Sequence, residues 1–541
     1  MLTSKFVARF LRARGVKRIF GTPGSDTIVL IQALADEGID YVLAHHENTA
    51  AYMAATYGEL TGVPGVVIVT KGPGITNLAS GIASAYYDRR PIIVISAIIS
   101  PDILEKNPHQ DVPLVAFGGL IAKLSVEMTH ENAATLLPTA YRTAISPRPG
   151  AVYLPMSPLE AKAELSTPDA EAEAILATDI APDKGELPDI ADAVELVRNA
   201  RRPIAVVGVG VVGTSTSAET VAALEALSMP ACVTLQAVGQ VPNDHPLYIG
   251  MYGWYGPPVE AMLKEADLIV TIGLDGWDIV KPFRANVPIV SFDSVDADDR
   301  TFQPVTIGHT GDLGAMLGVL AKDGQGPRDW GAAEAQACYA RIRDYELGVS
   351  AEHTDKDGIA PQNVYRELRQ LVPRDTIITA DAGAHKSLAS QAWEGYGPRS
   401  YFVSNGLSPM GFALGAAMGA KLAEPDRTVV TVVGDGGFLM YAGDLATMAR
   451  LGLPMIQIVM VDNSLTQVKS RQLRAGFNTQ ATSFQSIDYG AVARSLGVES
   501  VRADSVASFR DAVKHALAAN HPVTIETILD AAEYGRMPSN P

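Results

Sequence analysis

Two polar side chains stand directly after apolar stretches of the segment "VVGDGGFLMYAGDLATMARLGLPMIQIVMVDNS". Asp435 lies among Gly434, Gly436 and Gly437, and Asn463 follows the second apolar stretch. A carboxylate and an amide oxygen suit Mg²⁺, and glycines let backbone amides approach phosphate oxygens. The pattern indicates a magnesium and diphosphate site or, with equal weight, a helix cap at Asp435 and a turn at Asn463.

The elements that must position these side chains form a strand, helix and strand in succession. Residues 428–433 and 455–461 are short apolar runs typical of buried strands, and residues 441–451 have a helical pattern. Two strands joined in this way are parallel, so both end at the same edge of their sheet. Ligands bind at that edge in open α/β sheets, which is where the pattern places Asp435 and Asn463.

The composition argues against several classes of function. The 541 residues include 43 Lys and Arg against 60 Asp and Glu, a formal net charge of -17, and no basic run could follow a nucleic-acid backbone. Cys232 and Cys338 are the only cysteines and lack metal-site spacing, as in proteins of a reducing cytoplasm. No apolar run reaches the ~18 residues of a membrane span. We expect a cytoplasmic protein with no nucleic-acid partner and no membrane partner.

Short β-branched runs alternate with alanine-rich helical runs along most of the chain, as in doubly wound α/β folds. Residues 166–189 and 322–361 interrupt this alternation with Gly, Pro and charge, as linkers do. We predict an α/β protein of three doubly wound domains with mainly parallel sheets, at residues 1–165, 186–325 and 358–541.

Further motifs make the chain similar to a known family. "GDGG" followed by "VDNS" resembles the GDG…N signature of thiamine-diphosphate enzymes. Motifs in all three predicted domains resemble the acetolactate synthase and 2-oxo acid decarboxylase superfamily: "GTPGSD", "AHHENTAAYMAATYGELTG", "KGPGITNLASGIASAYYDRRP", "DHPLYIGMYGWYG", "DAGAHKSLASQ" and "SNGLSPMGFALGAAMGA". The resemblance implies a pyrimidine-binding, a central and a diphosphate-binding domain, with thiamine diphosphate and Mg²⁺ as cofactors.

The resemblance also implies roles for particular residues. Asp435, Asn463 and the Leu465 carbonyl would be the protein ligands of Mg²⁺. Glu47 would hydrogen-bond the aminopyrimidine ring and favour the tautomer that removes the thiazolium proton; taken by itself, it is better explained as a favourable charge at a helix N-terminus. The expected cofactor-binding residues are Gly72, Pro73, Asn77, Ala384, His385, Ser408, Met410, Gly434, Asp435, Gly436, Gly437, Asn463, Leu465, Thr466, Gln467 and Val468.

Some of these residues have an ordinary structural explanation as well. By the resemblance, Met410 is the bulky residue on which the cofactor bends, and Ser408 supplies a backbone acceptor for the pyrimidine amino group. A Met in such a run is more commonly a core residue, and a turn such as that at Gly72 and Pro73 is common before a helix. His45 stands where the family has an Arg, and we assign it no role.

The central region contains a literal dinucleotide motif, "GVGVVG" at residues 208–213. A dinucleotide site also needs an acid at the end of the next strand, where this chain has Gln236 and Ala237. FAD-binding acetolactate synthases have a GARFDDR-like stretch where this chain has "GLDGWDIVKPF". We therefore expect neither a nicotinamide cofactor nor FAD here, and we assign the glycines to packing between strand and helix.

Residues near the expected substrate depart from the family pattern. "PHQDV" places His109 and Gln110 where acetolactate synthases have a Phe-Gln-Glu stretch, and Gln467 and Lys469 replace a glycine and an apolar or acidic residue. His109 and Gln110 would transfer protons or orient a carboxylate or, with equal weight, are exposed loop residues.

The resemblance implies an enzyme that makes or breaks the C–C bond next to a carbonyl. Carboligation of a 2-oxo acid, as in acetolactate synthases, is the expected activity; a non-ligating 2-oxo acid decarboxylase or an aldehyde lyase is the alternative, and a non-catalytic family member a remote one. A homodimer or homotetramer is expected, with each active site formed by two subunits.

Overall fold

Three six-stranded sheets form the core of the protein in a computed structural model. The structure describes residues 1–100, 109–253, 257–278, 286–296, 304–351, 355 and 357–536. Strands such as Gly65–Val69 and Leu268–Ile272 are buried along their whole length, because these continuous Val- and Ile-rich runs have helices on both faces of their sheets. The prediction of an α/β fold with three doubly wound sheets is confirmed.

The first sheet has the order β2-β1-β3-β4-β6-β5, and its strand pairs are parallel. Its strands are β1 (Arg18–Thr22), β2 (Asp40–Leu43), β3 (Gly65–Val69), β4 (Ile92–Ser96), β5 (Leu124–Ser125) and β6 (Ala151–Tyr153). The helices of this part are Thr3–Ala13, Ile28–Asp36, Glu47–Thr61, Pro73–Asn77, Ala79–Tyr87, Leu114–Gly119, Ala133–Ile145, Pro158–Lys162 and Asp169–Ala177. The strand order reverses between β1 and β3, the position at which open α/β sheets bind ligands.

The second sheet has the order β12-β11-β10-β7-β8-β9 and is also parallel. Its strands are β7 (Pro203–Val207), β8 (Ala231–Val233), β9 (Tyr248–Met251), β10 (Leu268–Ile272), β11 (Ile289–Asp293) and β12 (Ile307–Thr310). Its helices are Ala191–Asn199, Gly210–Thr214, Ser217–Leu227, Pro257–Glu265 and Leu313–Asp323, with a short 3₁₀ turn at Leu235–Ala237. Here the strand order reverses between β7 and β10.

The third sheet has the order β14-β13-β15-β16-β18-β17, again with parallel pairs. Its strands are β13 (Ile377–Ala380), β14 (Tyr401–Val403), β15 (Val429–Gly434), β16 (Ile456–Val461), β17 (Glu499–Ala503) and β18 (Val523–Ile528). The remaining helices are Ala332–Ala351, Pro361–Leu371, Ala384–Ala392, Phe412–Ala423, Asp435–Met440, Asp444–Arg450, Thr466–Arg474, Tyr489–Ser495 and Val506–Ala518, with a 3₁₀ segment at Ala531–Arg536. The strand order reverses between β13 and β15.

Packing groups the chain into two compact units. The first contains residues 1–183, 414–426 and 441–453, and the second contains residues 184–413, 427–440 and 454–541. Segment 414–426 packs closely on the helix Glu47–Thr61: a side-chain carbon at Gly415 would lie 2.8 Å from Cβ of Tyr52, and one at Gly419 would lie 2.2 Å from the Met53 carbonyl oxygen. The three predicted domain limits stay a prediction, since this grouping places two segments of the third predicted domain with the first.

Within the described part of the chain, no helix combines the length and the apolar character that crossing a bilayer requires.

Candidate functional site

A cavity of about 110 Å³ lies at the edge of the third sheet where β13, β15 and β16 end. This is the edge at which the strand order reverses, so the cavity occupies the usual ligand position of an open α/β sheet. Eleven of the residues predicted to bind a cofactor line it: Ala384, His385, Met410, Gly434, Asp435, Gly436, Gly437, Leu465, Thr466, Gln467 and Val468.

Asp435 begins the helix Asp435–Met440 directly after β15 and is 2% exposed. Its carboxylate accepts the Gly436 amide at 2.7 Å and the amides of Asp462 and Asn463 at 3.2 and 2.5 Å. Burial raises the pKa of Asp435 above its usual value, although the backbone hydrogen bonds, that from Asn463 foremost, act against this. The carboxylate therefore ties the end of β15 to the end of β16.

Asn463 follows β16 and has a φ of 55°, a left-handed conformation that Asn tolerates better than most residues. Its side-chain oxygen is buried and has no hydrogen-bond partner. A buried amide oxygen without a partner is costly, so this atom has the character of a ligand position. The Leu465 carbonyl accepts the Lys469 amide at 2.9 Å and keeps a second lone pair.

Asp462 and Tyr534 also line the cavity, and neither was predicted. Asp462 accepts the Ser464 amide at 2.9 Å and the Thr466 hydroxyl at 2.6 Å, which fixes the start of the helix Thr466–Arg474. Burial, with a smaller contribution from the nearby Asp435 carboxylate, raises the pKa of Asp462 to about 6. Burial and these two acids raise the pKa of Tyr534 well above its usual range, so its hydroxyl stays protonated.

His385 is 6% exposed and lies in the first turn of the helix Ala384–Ala392. Burial lowers the pKa of His385 to about 4, although a hydrogen bond to the Asp381 backbone opposes this, and the imidazole is therefore neutral. Its Nε2 atom is buried without a partner. Glycines make room for the ring, since a side-chain carbon would lie 2.6 Å from it at Gly383 and 2.9 Å from it at Gly434.

Met410 is half-buried and reaches the glycine-rich turn, where a side-chain carbon at Gly436 would lie 3.1 Å from its Cε atom. It lines the cavity instead of filling the core. Ser408 is exposed with a φ of 58°, and its hydroxyl accepts a hydrogen bond from Lys386 at 3.0 Å. Gly437 is required for another reason: a side-chain carbon there would lie 2.2 Å from Oδ2 of Asp381.

These residues fit a divalent cation with an anionic ligand. Asp435 and Leu465 line the cavity, whereas Asn463 does not and lies between the lining residues Asp462 and Ser464. A buried carboxylate, a buried amide oxygen without a partner and a backbone carbonyl are the kinds of oxygen donor that Mg²⁺ takes from proteins when phosphates and waters complete its shell. Two helices of nine residues, Ala384–Ala392 and Thr466–Arg474, begin at the cavity and direct their first amides towards it.

Glu47 lies in the first compact unit, at the start of the helix Glu47–Thr61 that follows β2. It is 8% exposed, and its Oε2 atom accepts a hydrogen bond from Asn77 Nδ2 at 3.1 Å. A carboxylate that only stabilised the helix dipole would not need to be buried, because burying it costs more free energy than the interaction with the dipole contributes. Asn77, predicted to bind the cofactor, is thus also a direct partner of Glu47.

Gly72 and Pro73 follow β3 and begin the helix Pro73–Asn77, with a φ of 58° at Gly72. A side-chain carbon at Gly72 would lie 2.9 Å from Cβ of Gln110, so the structure brings this turn against Gln110. Gln110 is half-buried, whereas His109 is exposed. Asp26, in the loop that follows β1, accepts hydrogen bonds from the Thr70 hydroxyl at 2.9 Å and the Lys71 ammonium at 3.1 Å, in the segment that leads into this turn.

His45, to which the sequence assigned no role, takes part in the packing next to Glu47. Its backbone amide donates to Asp444 Oδ1 at 2.7 Å, and its Nδ1 atom lies 2.9 Å from the Thr447 hydroxyl. These bonds attach the helix Asp444–Arg450 to the segment that carries Glu47.

Other residues of the protein fill the space beside the glycine-rich loop of the central region. Gly208 and Gly210 pack on the end of β10, where a side-chain carbon would lie 2.4 Å and 2.7 Å from Gly273 atoms. Asp278, 1% exposed, accepts the amides of Val209 and Gln236 at 3.2 and 3.1 Å and also the Thr234 hydroxyl. Its carboxylate therefore uses donors that a nucleotide phosphate would need.

The sequence did not predict several residues that line the cavity or support it. Asp462 had a signal, because it ends the strand that precedes Asn463. Lys386 and Asp381 had the weaker signal of lying in a motif already noted, beside His385. Tyr534 comes from a C-terminal 3₁₀ segment without any periodic pattern, and no sequence signal indicated it.

The fold and the cavity define an α/β protein of three sheets with a cavity at the edge of the third. Three family models match the chain: "Thiamine pyrophosphate enzyme, N-terminal TPP binding domain" over residues 1–116, the corresponding "central domain" over residues 190–320, and the "C-terminal TPP binding domain" over residues 381–527. Each matched region contains one of the three sheets or most of it.

Similar proteins cover nearly the whole chain. The acetolactate synthase of Bacillus subtilis is 30% identical over 98% of this chain and 93% of the relative. The large subunit of acetolactate synthase isozyme 2 of Escherichia coli is 31% identical over 85% of this chain and 82% of the relative. The chain belongs to the thiamine-diphosphate enzyme family, and it is an acetolactate synthase-like member, as the sequence motifs predicted.

A solved structure supports the fold. The thiamine diphosphate-dependent 4-hydroxybenzoylformate decarboxylase of Rhodococcus jostii superposes with a TM-score of 0.84 at 22% identity, covering 98% of this chain and 99% of that one.

Proposed function

We propose that the protein is a thiamine-diphosphate- and Mg²⁺-dependent enzyme that ligates a 2-oxo acid to a second carbonyl compound, as its acetolactate synthase relatives are named for doing. The observation that carries the proposal is the pairing of Asp435 with Asn463 at the sheet edge that a TPP-binding family model covers: the buried Asp435 carboxylate accepts the Asn463 backbone amide, and the buried side-chain oxygen of Asn463 has no hydrogen-bond partner. Thiamine diphosphate, when bound, supplies the carbon nucleophile and the electron sink that C–C bond chemistry next to a carbonyl needs.

In this proposal the cavity binds the charged end of the cofactor. Asp435, Asn463 and the Leu465 carbonyl would hold Mg²⁺, which would offset the charge of the diphosphate. The first amides of Ala384–Ala392 and Thr466–Arg474 donate to phosphate oxygens. His385 lines the same cavity, where a hydrogen bond to the Asp381 backbone holds its neutral ring and leaves Nε2 without a partner.

Glu47 performs the proton transfer in this proposal. Asn77 occupies Oε2, so we assign the proton shared with the aminopyrimidine ring to Oε1. A buried carboxylate oriented by one amide is suited to this task, because it exchanges a proton with one partner and little with water. Gly72 and Pro73 would supply backbone to the pyrimidine ring, and Met410 would support the cofactor.

His109 and Gln110 remain candidates for residues that contact the substrate. Gln110 packs on the Gly72 turn and orients a substrate carboxylate, while the exposed His109 supplies protons. A non-ligating decarboxylase or aldehyde lyase is the second candidate function, favoured by the exposed His109, since proton delivery to the bound fragment releases an aldehyde.

We expect incubation with pyruvate and Mg²⁺ to yield a ligated hydroxy-oxo acid as the main product, and we expect His109→Ala to change product ratios more than cofactor affinity. Mass analysis of the products of pyruvate, other 2-oxo acids and added aldehydes tests this. A free aldehyde as the sole product, unaffected by excess acceptor, would reject the ligase and leave the decarboxylase.

We also propose a homodimer or homotetramer in a reducing cytoplasm, with no dinucleotide in the central region, where Asp278 accepts the Val209 amide of the glycine-rich loop. Glu47 and Asp435 belong to different compact units. If each site takes its halves from two chains, mixing inactive Glu47→Gln and Asp435→Ala chains regains up to about a quarter of the activity, because a mixed dimer has one intact site. No recovery after verified subunit exchange would refute shared sites.

A further inference from the structure

Lys386 is a buried lysine on the helix that begins at the cavity. It is 5% exposed, and its ammonium donates to the Ser404 carbonyl at 2.6 Å, the Asn405 side-chain oxygen at 3.2 Å and the Ser408 hydroxyl at 3.0 Å. All three acceptors lie on one short stretch, residues 404–408, which we name the 404–408 turn. A buried ammonium is expensive to desolvate, and here it donates to three acceptors of that turn.

The 404–408 turn needs an external support. Ser408 has a φ of 58°, in the left-handed region that residues other than glycine rarely adopt, and it precedes Pro409. The Ser408 amide donates to the Ser404 hydroxyl at 3.1 Å, so the turn is closed on itself. Met410 and its cavity contact follow two residues later. A small displacement of the turn would therefore move Met410.

The turn is also attached to the central region. Asn405 accepts from Lys386 and donates from Nδ2 to the carbonyls of Trp277 and Asp278, at 3.5 and 3.3 Å. The Asp278 carboxylate is in turn held by the Val209 and Gln236 amides at the end of the second sheet. The ammonium of Lys386 thus connects the helix at the cavity to the 404–408 turn, and the central region holds that turn from its other side.

The ammonium of Lys386 also lies near His385. Its positive charge contributes, after burial, to the lowered pKa of that imidazole. The lysine is close enough to influence the cavity electrostatically while its donors are directed to the turn. This combination separates Lys386 from an ordinary buried lysine such as Lys421, which is 7% exposed and donates to the Pro425 carbonyl four residues further along the chain.

We propose that Lys386 is a positioning residue: it fixes the 404–408 turn and thereby sets the Ser408 carbonyl and the Met410 side chain at the cofactor. The inference rests on the proposed thiamine-diphosphate site. It assigns the support of the pyrimidine side of that site to a residue whose ammonium donates to the 404–408 turn.

The first measurement uses the full-length protein without cofactor. Lys386→Met, which keeps the side-chain length and removes all three donors, should raise amide hydrogen exchange of a peptide spanning residues 404–411 about tenfold. Lys421→Met is the matched control and should leave that peptide unchanged. Unchanged exchange in Lys386→Met, or a rise spread over the whole chain, would overturn the proposal.

The second measurement uses the protein with cofactor and Mg²⁺. Lys386→Met should lower kcat about 10²-fold, the size of effect that a misplacement of about 1 Å produces, while cofactor affinity stays within several-fold because the diphosphate contacts survive. Lys386→Arg should recover part of both readouts. A kcat equal to that of the wild type would overturn the positioning role. Failure of the wild type to bind the cofactor would overturn the proposed function instead, while the exchange result would still decide whether Lys386 fixes the turn.

If Lys386→Met does not fold, Ser408→Ala provides the second variant. It removes one of the three acceptors and leaves the Ser408 carbonyl in place. The peptide of residues 404–411 should then exchange faster than in the wild type, and equal exchange would overturn the proposal.

Discussion

Glu47→Gln should slow turnover by about 10²- to 10⁴-fold, the usual contribution of a general acid or base, while cofactor affinity changes by no more than several-fold. The amide keeps the shape of the side chain and can still accept from Asn77, so the pocket survives. It cannot exchange a proton with the aminopyrimidine ring. Steady-state kinetics together with calorimetric titration of the cofactor separate these two effects.

Glu59→Gln is the matched control for Glu47→Gln. Glu59 lies on the same helix and pairs with Arg90 at 2.8 Å, and it should keep nearly full activity when changed to Gln. If Glu47→Gln behaved like this control, Glu47 would serve only as a charge at the start of the helix.

Asp435→Ala should abolish Mg²⁺-dependent cofactor binding in the range where the wild type is saturated. The substitution removes a metal ligand and also the acceptor of three amides, so both the charge of the diphosphate and the junction of β15 with β16 lose support. Titration of the apo-protein with cofactor in excess Mg²⁺ measures the loss directly.

Asp488→Ala provides a control for the structural part of that effect. Asp488 caps the helix Tyr489–Ser495 by accepting the Ala491 amide, away from the cavity. Its removal should cost about 1 kcal/mol of stability without changing cofactor affinity. Wild-type affinity in Asp435→Ala would show that Asp435 is a structural cap and not a metal ligand.

The position of the diphosphate site could be predicted because it depends on local patterns. Two consecutive apolar strands with a connecting helical segment must be parallel, and β15 and β16 pair in that way, with Gly434 opposite Met460. The prediction placed one helix at residues 441–451 and missed the helix Asp435–Met440, because Gly436 and Gly437 have low helix propensity. Tertiary packing of Gly436 on Met410 and of Gly437 on Asp381 overrides that propensity.

Contacts between distant parts of the sequence could not be predicted. The Asn77 bond to Glu47 spans 30 residues, and the approach of Gln110 to Gly72 depends on the order of the strands between them. The interactions of Asp278 with the glycine-rich loop likewise require the reversal of strand order between β7 and β10. A single sequence carries no local signal for such pairs, so the resemblance could name residues but not their partners.

Titration of the cofactor-free protein with thiamine diphosphate, with and without Mg²⁺, is the most direct test of a metal-assisted diphosphate site at Asp435 and Asn463. We expect saturable binding that depends on Mg²⁺ in the wild type and a large loss of that dependence in Asn463→Ala, since the substitution removes the partnerless oxygen. Binding of equal strength with and without Mg²⁺, or an Asn463→Ala protein that binds like the wild type, would contradict the assignment.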